Sequence, residues 1–258
     1  MSMDYYYKIS RGESASCIVL VHGILGDYKA TWGEFPFLIC QDSTFNHCDV
    51  LCWGYPSKLR APKFASFPFL GHKTPTVPSV AEALSADLTN PAIGGGYTDL
   101  IMVGHSMGGL VVKQMIISAL TSIKENTELL DRIRHVVLFA TPTDGVQLPT
   151  VISVHPQAKS INCDGDFINQ LRNNWINRVH SVQEGASHQA GRRRIAVTAV
   201  IALEDNAVPR ESAQAYYLDC VTAQGTHTEV CKPHTRDATS FQILKKVVPS
   251  ITTRTPPT

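Results

Sequence analysis

The sequence contains no long apolar run and no excess of charge of either sign. Lys and Arg together number 23 and Asp and Glu 22 among 258 residues, which gives a formal net charge of +1. This balance gives no reason to expect a nucleic acid or an anionic membrane as a partner. No apolar stretch is long enough to span a bilayer, so no integral membrane segment is expected. Hydrophobic residues make up 43% of the chain, enough for one sizeable core, and we expect a single domain over residues 1–258.

Cysteine is present, but not in a pattern that indicates a disulfide framework or a metal site. The seven cysteines form no paired C-x-x-C arrangement, and Cys48 and Cys52 lie in an apolar segment that predicts core packing. No spacing of His, Cys and Asp is typical of metal ligands, so we expect neither a metal nor a cofactor. The N-terminal residues MSMDYYYKIS lack the apolar region of a signal peptide, and a cytoplasmic location is expected.

The most informative stretch runs from Tyr97 to Leu120. Asp99–Val103 is a short apolar run that predicts a strand buried on both faces, and apolar residues recur at helical spacing from Gly109 onward. Between the two lies GHSMG at 104–108, which matches the pattern G-x-S-x-G. In a strand–turn–helix context this pattern predicts a nucleophile elbow that presents the hydroxyl of Ser106.

A second glycine turn is expected to serve the same chemistry. Ser16–Val21 is apolar enough to be a central strand, and it leads into His22 and Gly23. A His-Gly pair after a buried strand is the usual position for one half of an oxyanion hole. We therefore predict that the amides of Ile24 and Met107 bind the oxyanion, while His22 itself is interpreted as structural.

Predicted strands and helices alternate over most of the chain. This alternation predicts an α/β fold with a mostly parallel central sheet and helices on both faces. The predicted strands span residues 4–9, 16–21, 49–53, 99–103, 135–140, 195–202 and 220–223. The predicted helices include 79–90, which opens on a capping box at Ser79–Glu82, and 127–133, 211–218 and 239–248.

The general base and its acidic partner are expected on later loops. Asp205 follows the strand 195–202 and His227 precedes the last helix, so the order is serine, acid, histidine, as in an α/β-hydrolase triad. Glu204 is an alternative acid, since it adjoins Asp205, and Asp144 is the next candidate. His234 is the alternative to His227.

Three segments are left with open interpretations. Residues 146–190 are predicted to contain an amphipathic helix, Asp166–Val179, which either covers the sheet or forms a small lid. The aromatic, proline-rich stretch 58–78 is either a surface loop or a wall of an acyl-binding cleft. The tail 252–258 is expected to be disordered.

Five motifs carry a resemblance to a known family. They are VHGILGD at 21–27, GYPS at 54–57, VGHSMGGLVVK at 103–113, FATP at 139–142 and HTEVCKP at 227–233. The sequence resembles α/β-hydrolases of the small lipase and esterase kind. More narrowly, it resembles the serine esterases that include the serine-active-site-containing proteins and the GPI inositol-deacylases.

The resemblance implies hydrolysis of a lipid-like or acyl ester without a cofactor. Together with the motifs, it predicts an acyl-enzyme mechanism with Ser106 as nucleophile, His227 as base and Asp205 as acid. Thioesterases and acyltransferases share this fold and triad, so both are kept as alternatives. A hydrolase fold that serves only as a binding module is the remaining one.

Overall fold

The architecture is described from a computed structural model. The structure describes residues 6–10, 12, 14–57, 75–122, 127–147, 161–182, 191–217 and 220–248. Most of the predicted loop 58–78, the tail 252–258 and residues 148–160 and 183–190 of the predicted lid therefore lie outside the described residues.

The described residues contain a sheet of seven strands. In chain order they are β1 (Tyr6–Ile9), β2 (Ser16–Val21), β3 (Cys48–Trp53), β4 (Asp99–His105), β5 (Ile133–Phe139), β6 (Ala196–Glu204) and β7 (Cys220–Thr226). Their spatial order is β1-β3-β2-β4-β5-β6-β7. β1 runs antiparallel to β3, and the other neighbours pair in parallel, which confirms the predicted sheet.

Helices connect most of the strands. They are α1 (Phe35–Gln41), α2 (Val77–Thr89), α3 (Met107–Thr121), α4 (Thr127–Arg132), α5 (Asp166–Trp175), α6 (Arg210–Gln214) and α7 (Thr239–Val247). A 3₁₀ turn spans Ser43–Phe45, and a π-helical turn spans Ile176–His180. Within the described ranges, no helix combines the length and the apolar character that a membrane span requires.

Two apolar layers cover the two faces of the sheet. Successive side chains of a strand point to opposite faces, so Val19 and Ile18 of β2 belong to different core clusters. Val19 packs in the layer that contains α2, α3 and α5, and Ile18 in the layer that contains α1 and α7. The predicted arrangement of helices on both faces is therefore confirmed.

Several element boundaries differ from the sequence prediction; the helix predicted over 211–218, for example, spans Arg210–Gln214. Two of the differences have a clear physical cause. Helix α2 begins at Val77, because the hydroxyl of Thr76 caps it by accepting from the backbone N–H of Ser79. The predicted capping box that starts at Ser79 is therefore wrong. Strand β7 continues to Thr226, since it pairs with β6 as far as Glu204, where a loop was predicted after residue 223.

Candidate active site

Three of the predicted site residues lie at one edge of the sheet. Ser106, Asp205 and His227 are each the first residue after a strand, namely β4, β6 and β7. These strands are parallel, so their carboxyl ends meet at the same edge. That edge is where open α/β sheets bind their ligands. The extension of β7 beyond its predicted end is what carries His227 there.

Ser106 has a strained backbone. Its φ of 52° and ψ of −128° lie outside the regions that ordinary residues prefer, at a cost of about 1–3 kcal/mol. The surrounding chain holds this conformation, because Ser106 N–H donates to Phe139 O at 2.9 Å and Gly109 N–H donates to Ser106 O at 3.0 Å. The turn thereby connects β4 directly to α3 and places the hydroxyl at the carboxyl edge of the sheet.

Two glycines allow the chain to approach this turn closely. A Cβ atom at Gly23 would lie 2.7 Å from the Cβ of Ser106, and one at Gly108 would lie 2.2 Å from the carbonyl oxygen of Val21. Neither contact is possible without displacing the backbone. The glycines therefore set the distance between the elbow and the loop after β2.

A chain of hydrogen bonds links the three side chains. His227 Nε2 lies 3.0 Å from Ser106 Oγ, and His227 Nδ1 lies 2.9 Å from Asp205 Oδ2. An ionised carboxylate only accepts, so Nδ1 carries the proton and donates it to Asp205. Nε2 is then left to accept from the hydroxyl of Ser106. This tautomer is the one that a general base requires.

The carboxyl group of Asp205 is held in its charged form. Burial favours the neutral acid, but the hydrogen bonds from His227 and from the backbone N–H groups of Val208 and Ala207 outweigh it and lower the pKa of Asp205. Both N–H groups lie 2.8 Å from Asp205 Oδ1. The negative charge therefore persists at neutral pH beside the ring of His227.

The alternative site residues lie elsewhere. Glu204 is exposed, since it points away from its neighbour Asp205 at the end of β6. Asp144 is 3.6 Å from Arg172 Nη1, and His234 is exposed. The structure thus brings Ser106, His227 and Asp205 together.

The two predicted oxyanion donors, the N–H groups of Ile24 and Met107, lie in turns in which neighbouring N–H groups already donate hydrogen bonds. Leu25 N–H donates to Ser57 O at 3.3 Å and Gly26 N–H to Gly23 O at 3.1 Å. Among the described residues, no backbone carbonyl accepts from Ile24 N–H. Met107 opens α3, where backbone N–H groups have no intrahelical acceptor.

The fold and this arrangement agree with a comparison of the chain with known proteins. Residues 18–231 match the model of the alpha/beta hydrolase family. The chain belongs to the alpha/beta hydrolase family. It is 25% identical over 158 residues to Protein SERAC1 of Mus musculus and 23% identical to that of Homo sapiens. Each match covers 58% of this chain and 24% of the relative, so the chain spans about a quarter of the length of these curated relatives.

Solved structures of low identity share the fold. The lipase BlEst2 of Bacillus licheniformis superposes with a TM-score of 0.62 at 13% identity, covering 95% of this chain and 98% of that one. A monoacylglycerol lipase of Paleococcus ferrophilus gives a TM-score of 0.56 at 14% identity with the same coverage. At such identities the likeness shows the fold alone.

In this alpha/beta hydrolase, a cavity of ≈ 480 Å³ opens over the elbow. Its volume is ordinary for a ligand pocket. The lining includes Ser106 and His227 together with the apolar side chains of Ile24, Leu25, Val146, Ile161 and Val208. Within the described ranges, no group of three or more His, Cys, Asp or Glu side chains is arranged to hold a metal ion.

The GYPS motif, which the sequence argument used only for the family resemblance, braces the loop after β2. Tyr55 N–H donates to His22 Nε2 at 3.2 Å, so His22 Nδ1 donates to Gly23 O at 2.8 Å. The hydroxyl of Tyr55 donates to His22 O, and the hydroxyl of Ser57 donates to Gly26 O. The motif is visible in the sequence, but its structural role could not be predicted from it, because its partners lie about thirty residues earlier in the chain.

Proposed function

We propose that this protein is a serine hydrolase that cleaves carboxylic esters through an acyl-enzyme. Ser106 is the nucleophile, His227 the general base and acid, and Asp205 the carboxylate that orients the imidazole. The observation that carries the proposal is the hydrogen-bond chain from Ser106 through His227 to Asp205, with Ser106 on a strained elbow. The family membership supports it independently.

Acylation begins when Ser106 Oγ attacks the ester carbonyl. A serine hydroxyl is a weak nucleophile at neutral pH, and His227 Nε2 removes its proton as the new C–O bond forms. Asp205 stabilises the resulting imidazolium. The negative charge on the carbonyl oxygen is bound by the amides of Ile24 and Met107, the second of which benefits from the N-terminus of α3. The tetrahedral intermediate then collapses: the bond from the carbonyl carbon to the ester oxygen breaks, and the imidazolium protonates that oxygen, which releases the alcohol and leaves the acyl-enzyme.

Deacylation repeats these steps with water. His227 removes a proton from water, which attacks the acyl carbonyl and forms the second tetrahedral intermediate. Collapse of the intermediate breaks the bond to Ser106 Oγ, and the imidazolium returns the proton to that oxygen. The products are a carboxylic acid and the free enzyme.

The substrate class follows from the lining of the cavity. Ile24, Val146, Ile161 and Val208 offer apolar contacts to an acyl chain, so we propose acyl or lipid esters. Val146 and Ile161 belong to the predicted lid segment 146–190, and their place in the lining supports the proposal that this segment contributes to a cover of the cleft. All seven cysteines are free thiols, which supports a reducing compartment such as the cytoplasm.

The test is replacement of the nucleophile. The Ser106→Ala variant is expected to lose at least about 10³-fold in kcat on p-nitrophenyl esters, with oxyanion binding alone left to act. It should also fail to react with a fluorophosphonate probe, which requires an activated serine. Thermal melting checks that the variant is folded.

Ser118→Ala is a matched control in the same helix. Ser118 Oγ accepts from Gln114 Nε2 at 2.9 Å, far along α3 from the elbow. This variant should keep wild-type turnover and labelling. Near-normal turnover in Ser106→Ala would contradict the proposed function.

A further inference from the structure

His105 bridges the elbow and the turn that carries His227. It is the last residue of β4, and its side chain is buried, with 5% exposed. His105 Nε2 lies 2.8 Å from the main-chain oxygen of His227, a residue 122 positions later in the chain. The two rings also lie close together, with centroids 4.9 Å apart.

The proton of His105 can be assigned from its partners. A carbonyl oxygen only accepts, so Nε2 carries the proton and donates it to His227 O. Nδ1 is buried and has no hydrogen-bond partner among the described residues. Burial lowers the pKa of His105 to about 3, and the ring is therefore neutral near pH 7.

The turn at His227 has local ties, but these do not reach the elbow. Glu229 Oε2 accepts from Thr226 N–H at 2.9 Å and from Thr226 Oγ1 at 2.7 Å. Glu229 N–H in turn donates to Thr226 O at 3.2 Å. These bonds shape the turn, while the bond from His105 fixes the main chain of the turn relative to Ser106.

Pairing of β7 with β6 holds the main chain as far as Thr226, one residue before His227. The bond from His105 ties the main chain of His227 itself to the end of β4, in addition to the two hydrogen bonds of the His227 ring. A displacement of about 1 Å between a base and its nucleophile costs on the order of 10²-fold in rate. A neutral neighbour is also required, because a cationic His105 would repel the imidazolium that forms on His227.

We propose that His105 is a positioning residue, which anchors the carbonyl of His227 so that Nε2 of that histidine stays within reach of Ser106 Oγ. The inference rests on the proposed function, since it assigns to His105 a part in the same reaction. Trp32, whose ring packs against that of His105 with centroids 6.4 Å apart, limits the tilt of the His105 ring.

The experiment compares His105→Gln with His105→Met. The two new side chains are unbranched and similar in length, but only glutamine offers an N–H donor to His227 O. We expect kcat on a short p-nitrophenyl ester to fall on the order of 10²-fold in the Met variant, with KM within about twofold of wild type. The Gln variant should recover to within about tenfold of wild type, and fluorophosphonate labelling rates should follow the same order.

His135→Met is the matched control. His135 lies on the neighbouring strand β5, is partly buried, and has its Nε2 2.8 Å from Thr198 Oγ1, away from the site. Thermal melting of all three variants separates stability from rate, and the control should retain wild-type kcat.

Equal kcat in the Gln and Met variants would overturn the inference, as would a Met variant that changes KM and leaves kcat intact. A wild-type protein that fails to react with the fluorophosphonate would contradict the proposed function itself, and the role of His105 would fall with it.

Discussion

The two edges of the sheet, at the amino and the carboxyl ends of the parallel strands, differ in how completely their buried polar groups are hydrogen-bonded. At the amino edge, Asp49 accepts from Tyr97 Oη at 2.6 Å and from Ser10 Oγ at 3.0 Å, and the guanidinium of Arg132 donates to several carbonyl oxygens. At the carboxyl edge, several buried polar atoms have no partner among the described residues. They include His105 Nδ1, Trp32 Nε1, Thr141 Oγ1 and Thr143 Oγ1. Satisfied polar groups favour stability, and unsatisfied ones concentrate where a site is maintained at a cost.

Backbone strain follows the same division. Among the described residues, four that are not glycine have positive φ, namely Leu25, Ser106, Ala140 and Ala215. Ser106 and Ala140 come directly after β4 and β5, and Leu25 lies in the loop after β2. Such conformations persist only where the surrounding structure imposes them. The comparison therefore predicts that substitutions at the carboxyl edge lower the rate, while those at the amino edge lower the stability.

The largest effect is expected from the carboxylate at the carboxyl edge. Asp205→Asn should lower kcat about 10³–10⁴-fold, because the amide no longer favours the required tautomer and no longer stabilises the imidazolium. Glu204→Gln, one residue earlier and exposed, should cost less than about tenfold, or about 1.4 kcal/mol. The measurement is kcat/KM on one short-chain ester, with melting temperatures as a check on folding.

The two variants also test the assignment of the acid. If Glu204→Gln were the crippled variant, the acid would be Glu204. If both were mild, the acid would lie elsewhere and Asp144 would be the next candidate.

An effect on stability rather than rate is expected at the amino edge. Arg132 is 8% exposed and binds the carbonyl oxygens of Tyr97, Leu88 and Gly94, which joins the end of α2 to the start of β5. Arg132→Met leaves these buried acceptors unpaired and should lower the free energy of unfolding by about 3 kcal/mol. Urea denaturation measures the loss, and kcat of the folded fraction should be unchanged.

Arg134→Met is the control, two residues after Arg132 and within β5. Arg134 pairs with Asp99, but its side chain is 35% exposed, so the loss should stay below about 1 kcal/mol. A large fall in kcat for Arg132→Met, or equal losses of stability in both variants, would contradict the division between the edges.

The sequence predicts those features of the two edges that depend on residues close together in the chain. The strand, turn and helix around Ser106 are local, and the alternation of elements indicates the parallel sheet that the structure has. The order of serine, acid and histidine points to the acids after the strand 195–202 and the histidines before the last helix, among which we choose Asp205 and His227 over Glu204 and His234.

The remaining contacts depend on the tertiary structure. The bond from His105 to the carbonyl of His227 joins residues 122 apart, and the guanidinium of Arg132 binds carbonyls 35 to 44 residues away. Pairing with β6 likewise decides where β7 ends. Contacts between residues so far apart in the chain leave no periodicity or motif in the sequence from which they could be predicted.

The smallest effect concerns a buried lysine that belongs to neither edge. Lys113, in the middle of α3, is fully buried and donates from Nζ to Tyr216 Oη at 2.9 Å. Its Nζ faces the rings of Trp175, Tyr216 and Tyr217 at 5.2, 5.4 and 5.9 Å, and no carboxylate of the described residues lies within ion-pair distance. Burial lowers the pKa of Lys113 to about 7.

The sign of the pH dependence follows from this lowered pKa. Between pH 7 and the ordinary lysine value, the unfolded chain holds a proton at Lys113 that the folded chain has released, so the stability that this residue contributes rises with pH. Below pH 7 the folded protein carries the cost of a buried charge.

Lys113→Met should therefore be more stable than wild type at pH 6, and its advantage should shrink by at most about 1.4 kcal/mol per pH unit as the pH rises to 9. Asp144 is present in both proteins, while the pKa of His180 is lowered by burial in both and by the charge of Lys113 only in wild type. Urea denaturation at pH 6 and pH 9 measures the difference, and an advantage that is the same at both pH values would show that Lys113 stays charged in the folded protein.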